Sequence, residues 1–191
     1  MSGATAKLPR RATYTDLEAV PDHLVAEIIG GTLRTTPRPA SRHARASSRI
    51  GISLGGPFDA GIGGPGGWVI LDEPELHLGP EPDVLVPDLA GWRRKRMPEI
   101  PDVAAFSLPP DWICEVLSAS TEAIDRAEKM PVYAREDVKH AWLLDPTIQT
   151  LEVFHLDGDS WRLVATHVGD AKVRAEPFQS VELDLARLWE R

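Results

Sequence analysis

A short apolar strand with a carboxylate in its middle constrains this chain more than any other segment. The stretch from Trp112 to Leu117 (WICEVL) places Glu115 among apolar side chains, and the helix-forming segment that follows carries Asp125 and Lys129. An ionised carboxylate is costly to bury without a partner, so Glu115 needs a cation close by. A metal ion with a nearby lysine would meet that need, and so would a structural ion pair. This segment alone leaves both open.

Length and composition indicate one globular domain. With 191 residues, of which 42% are apolar, the chain can bury a substantial core. No apolar run reaches the roughly 18 residues of a membrane-spanning helix. The single cysteine, Cys114, excludes an internal disulfide and a cysteine-clustered zinc site. We therefore expect a cytoplasmic protein with no membrane partner, a flexible arm at residues 1–12 and one domain at 13–191.

The charge is unevenly distributed along the chain. The net charge is −8, but residues 1–96 carry 12 Lys and Arg against 11 Asp and Glu, whereas residues 97–191 carry 9 against 18. The segment from Ile28 to Phe58 contains five arginines and no acid, and a second basic run lies at 93–96. An acidic protein with local basic patches permits a polyanionic partner without requiring one.

The order of predicted elements favours an α/β fold in which a mixed sheet is flanked by helices. Alternating apolar residues and turn signals predict hairpins, and apolar periodicity predicts helices. The predicted elements are a hairpin at Leu24–Thr36, a helix from about Ser41 to Leu54, strands at Trp68–Leu78, Pro82–Trp92 and Asp111–Ser118, a helix at Thr121–Arg135, a strand at His140–Asp145 and a hairpin at Leu151–Val168. Pro131 should kink the second helix or divide it.

Two acids at strand ends form a candidate metal site. Asp88 lies toward the end of the predicted strand Pro82–Trp92, on the same face as Val84 and Val86, and Glu115 lies 27 residues later on another strand. If the strands are neighbours, the carboxylates converge. Mg²⁺ takes one or two carboxylates and keeps waters that a phosphate can displace. The alternative is that Asp88 only opens the loop to Gly91.

Lys129 lies four residues after Asp125, so both share a helix face. The simpler interpretation is an exposed ion pair worth a few tenths of a kcal/mol. In the functional interpretation the helix directs Lys129 at the carboxylates, where it could orient a water or stabilise charge on a phosphate.

Four arginines, Arg38, Arg42, Arg45 and Arg49, follow helical spacing and predict one stripe on the helix that begins near Ser41. Such a stripe could follow the phosphates of a nucleic acid. A solvated face is the alternative.

Three further patterns are weak. The glycine run from Gly61 resembles a dinucleotide-binding loop, but a strand follows it where a helix is required. GISLG resembles a nucleophile elbow at Ser53, which would suggest a serine hydrolase, but the preceding residues are a poor buried strand. The six histidines do not occur at zinc-ligand spacing.

A collinear set of motifs resembles the Uma2 family of restriction-endonuclease-like proteins, within the PD-(D/E)XK nuclease superfamily. The motifs are PDLAGW at 87–92, CEVLSAST at 114–121, DRAEKMPVYARE at 125–136, HAWLLDP at 140–146 and PFQSVELDLARLW at 177–189. The resemblance runs from about residue 14 to the C-terminus. It implies a restriction-endonuclease-like core and Mg²⁺-dependent phosphodiester hydrolysis, with Mn²⁺ as a substitute ion.

The resemblance also assigns residues. By position, Asp88 matches the motif aspartate and Glu115 the second metal-binding acid. Leu117 stands where most of the superfamily has its lysine, which makes Lys129, on the following helix, the candidate. Glu27 matches an acid that completes the metal site.

In the same way, His43 falls where family members often have histidine, and Asp125 would position Lys129. The expected substrate is nucleic acid, with DNA favoured, and a homodimer would suit double-strand cutting. The competing hypothesis is a non-catalytic nucleic-acid- or protein-binding module on the same fold.

Overall fold

The computed structural model describes residues 10–190. This part of the chain contains twelve strands and five α-helices. The strands are β1 (Leu24–Ile29), β2 (Thr32–Pro37), β3 (Trp68–Asp72), β4 (Leu76–Leu78), β5 (Asp83–Leu85), β6 (Leu89–Arg93), β7 (Trp112–Val116), β8 (His140–Asp145), β9 (Thr150–Asp157), β10 (Ser160–Val168), β11 (Lys172–Val173) and β12 (Leu183–Asp184). The helices are α1 (Tyr14–Glu18), α2 (Ser41–Leu54), α3 (Glu122–Ile124), α4 (Met130–Arg135) and α5 (Ala186–Trp189), with π-helical turns at Gly55–Asp59 and Asp125–Lys129. Among these helices, none has both the length and the apolar character needed to cross a lipid bilayer.

A six-stranded mixed sheet forms the centre of the domain. Its strand order is β10-β9-β8-β7-β6-β3, and β7 and β8 are its one parallel pair. A second sheet, in the order β2-β1-β5-β4, is antiparallel, and β11 and β12 form a separate pair. The predicted α/β class, in which helices flank a mixed sheet in a single domain, is confirmed.

Strand β7 separates two hydrophobic cores. Trp112, Cys114 and Val116 belong to one core, whereas Ile113 and Leu117 belong to the other. Because side chains alternate along a strand, Glu115 points to the side of Ile113 and Leu117. The predicted alternation is therefore correct, and it leaves a carboxylate facing a core.

An aromatic cluster fills the other core. The ring of Phe178 lies 4.7 Å from that of Phe58, 4.8 Å from Trp68, 4.9 Å from Trp112 and 5.5 Å from Trp142. Tilted and edge-on contacts of this kind add to the free energy gained from burying the rings. They anchor the C-terminal segment to the main sheet.

Two predicted strands are each divided between the sheets. The stretch Trp68–Leu78 forms β3 in the large sheet and β4 in the small one, and Pro82–Trp92 likewise forms β5 and β6. Pro87 lies at the second break, where it has no N–H to continue a ladder. As a result, Asp88 lies at the crossing between the two sheets, immediately before β6.

The helix after β7 departs from α-helical hydrogen bonding just before Pro131. Proline cannot donate to the carbonyl of Ala127, and the preceding turn is π-helical, with the N–H of Met130 directed to the carbonyl of Asp125. Helix α4 then begins with Pro131 in its first turn. The helical segments follow one another without a break from Glu122 to Arg135, so the proline changes the local hydrogen bonding but does not divide the helix.

Most of the predicted flexible arm, residues 1–9, lies outside the described residues. Of the remainder, Arg10 forms an ion pair of 2.7 Å with Asp16, and the N–H of Ala12 donates to the carbonyl of Gly31 at 2.8 Å. Residues 10–12 therefore pack beside the first hairpin.

Candidate active site

The carboxylate of Glu115 is almost completely buried, with 2% of the residue exposed. Tyr133 donates its hydroxyl to Oε1 at 2.6 Å, and Nζ of Lys129 lies 3.0 Å from each carboxylate oxygen. Both partners come from the helix that follows β7. Glu115 lies seven residues before this helix begins at Glu122, and the turn between them folds the helix back so that two of its polar side chains reach the carboxylate.

Lys129 is shared among three buried acids. Besides Glu115, its Nζ lies 3.0 Å from Oε1 of Glu27 and 3.3 Å from Oδ1 of Asp125. Asp125 and Lys129 are only 3% and 4% exposed. The alternative of an exposed surface ion pair is therefore wrong, and one ammonium group here faces three carboxylates.

Asp88 is held beside this cluster through the backbone. Its Oδ2 accepts a hydrogen bond from the N–H of Val116 at 2.7 Å, and its Oδ1 lies 3.3 Å from Nε2 of His43. Val116 directly follows Glu115, and Leu89 pairs with Cys114 across β6 and β7. Antiparallel pairing of β6 with β7 therefore brings Asp88, immediately before β6, and Glu115, near the end of β7, to the same end of these two strands.

Glu27 reaches the same place from the small sheet. It lies on β1 and accepts a hydrogen bond on Oε1 from the N–H of Val86 at 2.8 Å. Val86 belongs to the short link between β5 and β6 that also contains Asp88. The site is therefore built where the two sheets meet.

Burial and the charges of neighbouring groups shift the pKa values of the residues in the cluster. Burial raises the pKa of Glu115 well above its usual range, with Lys129 opposing the change. Burial alone would lower the pKa of Lys129, but the surrounding carboxylates outweigh it and the pKa is raised. Burial also raises the pKa of Asp125, and Asp88 raises the pKa of His43 against the opposing effect of burial.

These side chains line one cleft of about 640 Å³. Its acidic residues outnumber its Lys and Arg residues eight to two. The acids are Glu18, Asp22, Glu27, Glu73, Glu75, Asp88, Glu115 and Asp125, and the cations are Arg38 and Lys129. Such a cleft attracts cations and repels a bare polyanion.

Comparison with known proteins identifies the family. The model of the Uma2 family, described as putative restriction endonuclease, matches residues 11–186. The chain belongs to the Uma2 family. No curated protein matches the chain.

A solved structure supports the fold. A crystal structure of a putative nuclease from Anabaena variabilis superimposes with a TM-score of 0.70 at 21% identity, covering 93% of this chain and 97% of that one. The likeness extends over nearly the whole of both chains, so the Uma2 protein and this nuclease share one fold.

All six residues assigned to the site from sequence line this single cleft. They are Glu27, His43, Asp88, Glu115, Asp125 and Lys129. Their convergence is a finding of the structure, whereas their roles in holding a metal, orienting a water or supporting these groups remain predictions.

The predicted arginine stripe is not a single helical row. Arg38 precedes helix α2 and donates to the carbonyl of Asp22 at 2.9 Å, and Arg49 lies 3.3 Å from Glu190 near the C-terminus. Arg42 and Arg45 are exposed on α2. The helix begins at Ser41, too late to include Arg38, and its last turns pack against α5, so only the middle of the stripe faces solvent.

The alternative of a serine hydrolase at Ser53 is wrong. Ser53 lies inside α2 and donates its hydroxyl to the carbonyl of Arg49 at 2.8 Å. A nucleophile elbow instead places the serine at a sharp turn between a strand and a helix.

Tyr133 is a site residue that sequence reasoning missed. It follows Asp125 and Lys129 at spacings of eight and four residues, so the three share one face of the helix. This four-residue repeat of Asp125, Lys129 and Tyr133 was the signal in the sequence from which Tyr133 could have been found. An apolar neighbourhood otherwise makes a tyrosine look like a core residue.

The donor set suits a hard divalent cation. Carboxylate oxygens from Asp88 and Glu115 border a cleft with excess negative charge, and Mg²⁺ needs only one or two such ligands together with waters. The cluster has one buried ammonium group against three buried carboxylates, and Asp88 adds a fourth carboxylate. A divalent ion would offset that excess, so the residues fit the metal that the family implies.

Proposed function

We propose that this Uma2 protein is a Mg²⁺-dependent endonuclease that hydrolyses phosphodiester bonds in DNA. The observation that carries the proposal is the contact of Lys129 with Glu115 at 3.0 Å, in a cleft that Asp88 also lines. Two acids and a lysine in one cleft are the groups needed to hold a divalent ion and to act on a phosphate.

The residues have distinct roles in this proposal. Asp88 and Glu115 would hold Mg²⁺, which when bound neutralises phosphate charge and lowers the pKa of a coordinated water. Lys129 orients the attacking water or stabilises the charge that develops on the phosphate. Glu27 and Asp125 keep the ammonium group protonated and in place, since their carboxylates lie 3.0 and 3.3 Å from Nζ.

Substrate approach depends on the metal in this scheme. The cleft is acidic, so DNA would be repelled until the ion is bound. Arg42 and Arg45, which are exposed on α2 beside the cleft residue His43, supply phosphate contacts outside the acidic zone.

The direct test is cleavage of supercoiled plasmid in the presence of Mg²⁺ or Mn²⁺. We expect Asp88→Asn and Glu115→Gln each to lower the rate by at least about 100-fold, as for loss of a group that stabilises the transition state. Both are isosteric, so circular dichroism should report an unchanged fold. Asp157→Asn, at a 75% exposed side chain on the β9–β10 hairpin, is the matched control and should leave the rate unchanged. Full cleavage by both site variants would refute the assignment.

One observation favours a second candidate, a non-catalytic binding module on this fold. Nζ of Lys129 already contacts three carboxylates, so the amine could be a purely structural cation. Titration calorimetry with Mg²⁺, which prefers oxygen ligands, separates the two. A module would show no binding, whereas the nuclease binds metal in the wild type and loses binding in Asp88→Asn.

A further inference from the structure

Two histidines, His140 and His155, and Glu176 lie close together on the face of the large sheet opposite to the acidic cleft. We call these three residues the trio. Nδ1 of His155 lies 2.8 Å from Oε1 of Glu176, and Nδ1 of His140 lies 3.4 Å from the same oxygen. His140 and His155 are directly paired across β8 and β9. Within residues 10–190, these three are the one group of His, Cys, Asp or Glu side chains whose ligand atoms all lie within 4.8 Å of one another.

We propose that His140, His155 and Glu176 form a second metal site, which takes a divalent transition metal such as Zn²⁺. Two imidazoles and a carboxylate are ligands that Zn²⁺ and its neighbours prefer, whereas Mg²⁺ prefers oxygen. Three protein ligands leave at least one position for water. The side chains of His155 and Glu176 are 34% and 32% exposed, so solvent reaches that position.

The spacing suits such an ion. Ligand distances of about 2.1 Å and tetrahedral angles place donor atoms about 3.4 Å apart. The nitrogen of His140 and the oxygen of Glu176 already have that separation. His155 and Glu176 are closer, at hydrogen-bond distance, so they would separate by about half an ångström as the ion replaces the proton between them.

The backbone that carries His140, His155 and Glu176 is held in place by hydrogen bonds. Both histidines lie on paired strands, and the carbonyl of Glu176 accepts a hydrogen bond from Nε1 of Trp142 at 2.6 Å. Nδ1 of His140 is buried without a hydrogen-bond partner and lies 3.4 Å from Oε1 of Glu176, so this nitrogen is available to a metal. Rigid supports of this kind hold ligands in place before the ion binds.

This site is separate from the acidic cleft. His140 shares its strand face with Trp142 and Leu144, which belong to the aromatic core. Glu115 points to the other core, on the opposite side of the sheet. A metal at the trio would tie the segment between β11 and β12, which carries Glu176, to strands β8 and β9, and so act as a structural clamp.

The test measures zinc binding directly. Metal-stripped protein is dialysed to equilibrium against Zn²⁺ with excess Mg²⁺ to compete at the acidic cleft, and the bound zinc is quantified. We expect one zinc per chain in the wild type and in Asp88→Asn. Affinity should fall at least about tenfold in His155→Ala and in Glu176→Gln. His167→Ala, on the adjacent strand β10, is the matched control.

A second readout reports the ligands. Co²⁺ in place of Zn²⁺ should give visible absorption bands of a four- or five-coordinate ion, and these bands should disappear in His155→Ala while circular dichroism remains unchanged. The proposal is overturned if the stripped wild type binds no zinc. It is also overturned if zinc is lost in Asp88→Asn but retained in His155→Ala, since the ion would then occupy the acidic cleft.

Discussion

Replacing Lys129 by methionine removes the one ammonium group shared by three buried carboxylates. Methionine keeps a similar length and an apolar stem but has no charge. Glu115, with 2% of the residue exposed, then lacks its cation and retains only the hydroxyl of Tyr133 as a partner. Removing one partner of a buried ion pair costs about 3–5 kcal/mol.

The cost has a limit that depends on pH, because Glu115 can take up a proton instead. Protonating a carboxyl of ordinary pKa near 4.3 costs about 4 kcal/mol at about pH 7.5. Burial already raises the pKa of Glu115 in the wild type against the opposing effect of Lys129, so loss of the lysine should raise it further. The folded variant then binds the extra proton more readily than the wild type, and its stability increases relative to wild type as pH falls. Going from about pH 7.5 to about pH 5.5 should recover up to about 3 kcal/mol of the deficit.

Urea denaturation at both pH values, in chelator, measures this difference. The free energy of unfolding of Lys129→Met should lie about 4 kcal/mol below that of wild type at the higher pH, and this deficit should shrink by up to about 3 kcal/mol at the lower pH. Lys139→Met, at an exposed lysine paired with Asp137, is the control and should change stability by less than about 0.5 kcal/mol at either pH.

Two results would refute the reasoning. A deficit below about 1 kcal/mol at the higher pH would mean that Lys129 does not offset the charge of the buried acids. A deficit that is equal at both pH values would mean that the loss arises from packing, not from charge.

Three other perturbations have expected outcomes. Mg²⁺ at about 100 times its Kd should raise the Tm by about 5–10 °C and should not do so in Asp88→Asn; equal shifts would argue against metal binding by Asp88. Burial lowers the pKa of His140 to about 4 from 6.5, so in the metal-free protein His140 should contribute a loss of about 3 kcal/mol of stability as pH falls through that window, measured as the difference between wild type and His140→Gln. His140→Gln should abolish this loss, and an unchanged slope would contradict it. Phe178→Ala should cost about 3–5 kcal/mol in urea denaturation, because four aromatic rings surround Phe178, and a loss under 1 kcal/mol would show that the cluster is not needed.

Local patterns predicted much of the fold. The hairpin at Gly30–Gly31, helix α2 and the alternation of strand β7 all depend on neighbours along the chain, and each occurs as predicted. The prediction of two continuous strands was wrong, because the chain changes from one sheet to the other at residues 73–75 and again at residues 86–88. Which sheet a strand joins depends on distant partners, and local pattern does not contain that information.

The two candidate sites differ in how far sequence could lead to them. Glu115 could be found because a charge in an apolar strand contradicts its surroundings, and Lys129 because its helix follows directly. His140, His155 and Glu176 lie 15 and 21 residues apart in sequence, without any metal-binding spacing, and only strand pairing and the folding back of the C-terminal segment bring them together.

By itself the sequence determined that Glu115 would be buried and would need a cation, since the alternation of apolar residues sets burial locally. Only the tertiary structure decided which groups surround it. The meeting of two sheets brings Glu27 and Asp88 to the cleft, and the helix after β7 returns Lys129 and Tyr133 to the carboxylate. Burial follows from local periodicity, whereas the partners of a buried charge follow from the topology of the whole domain.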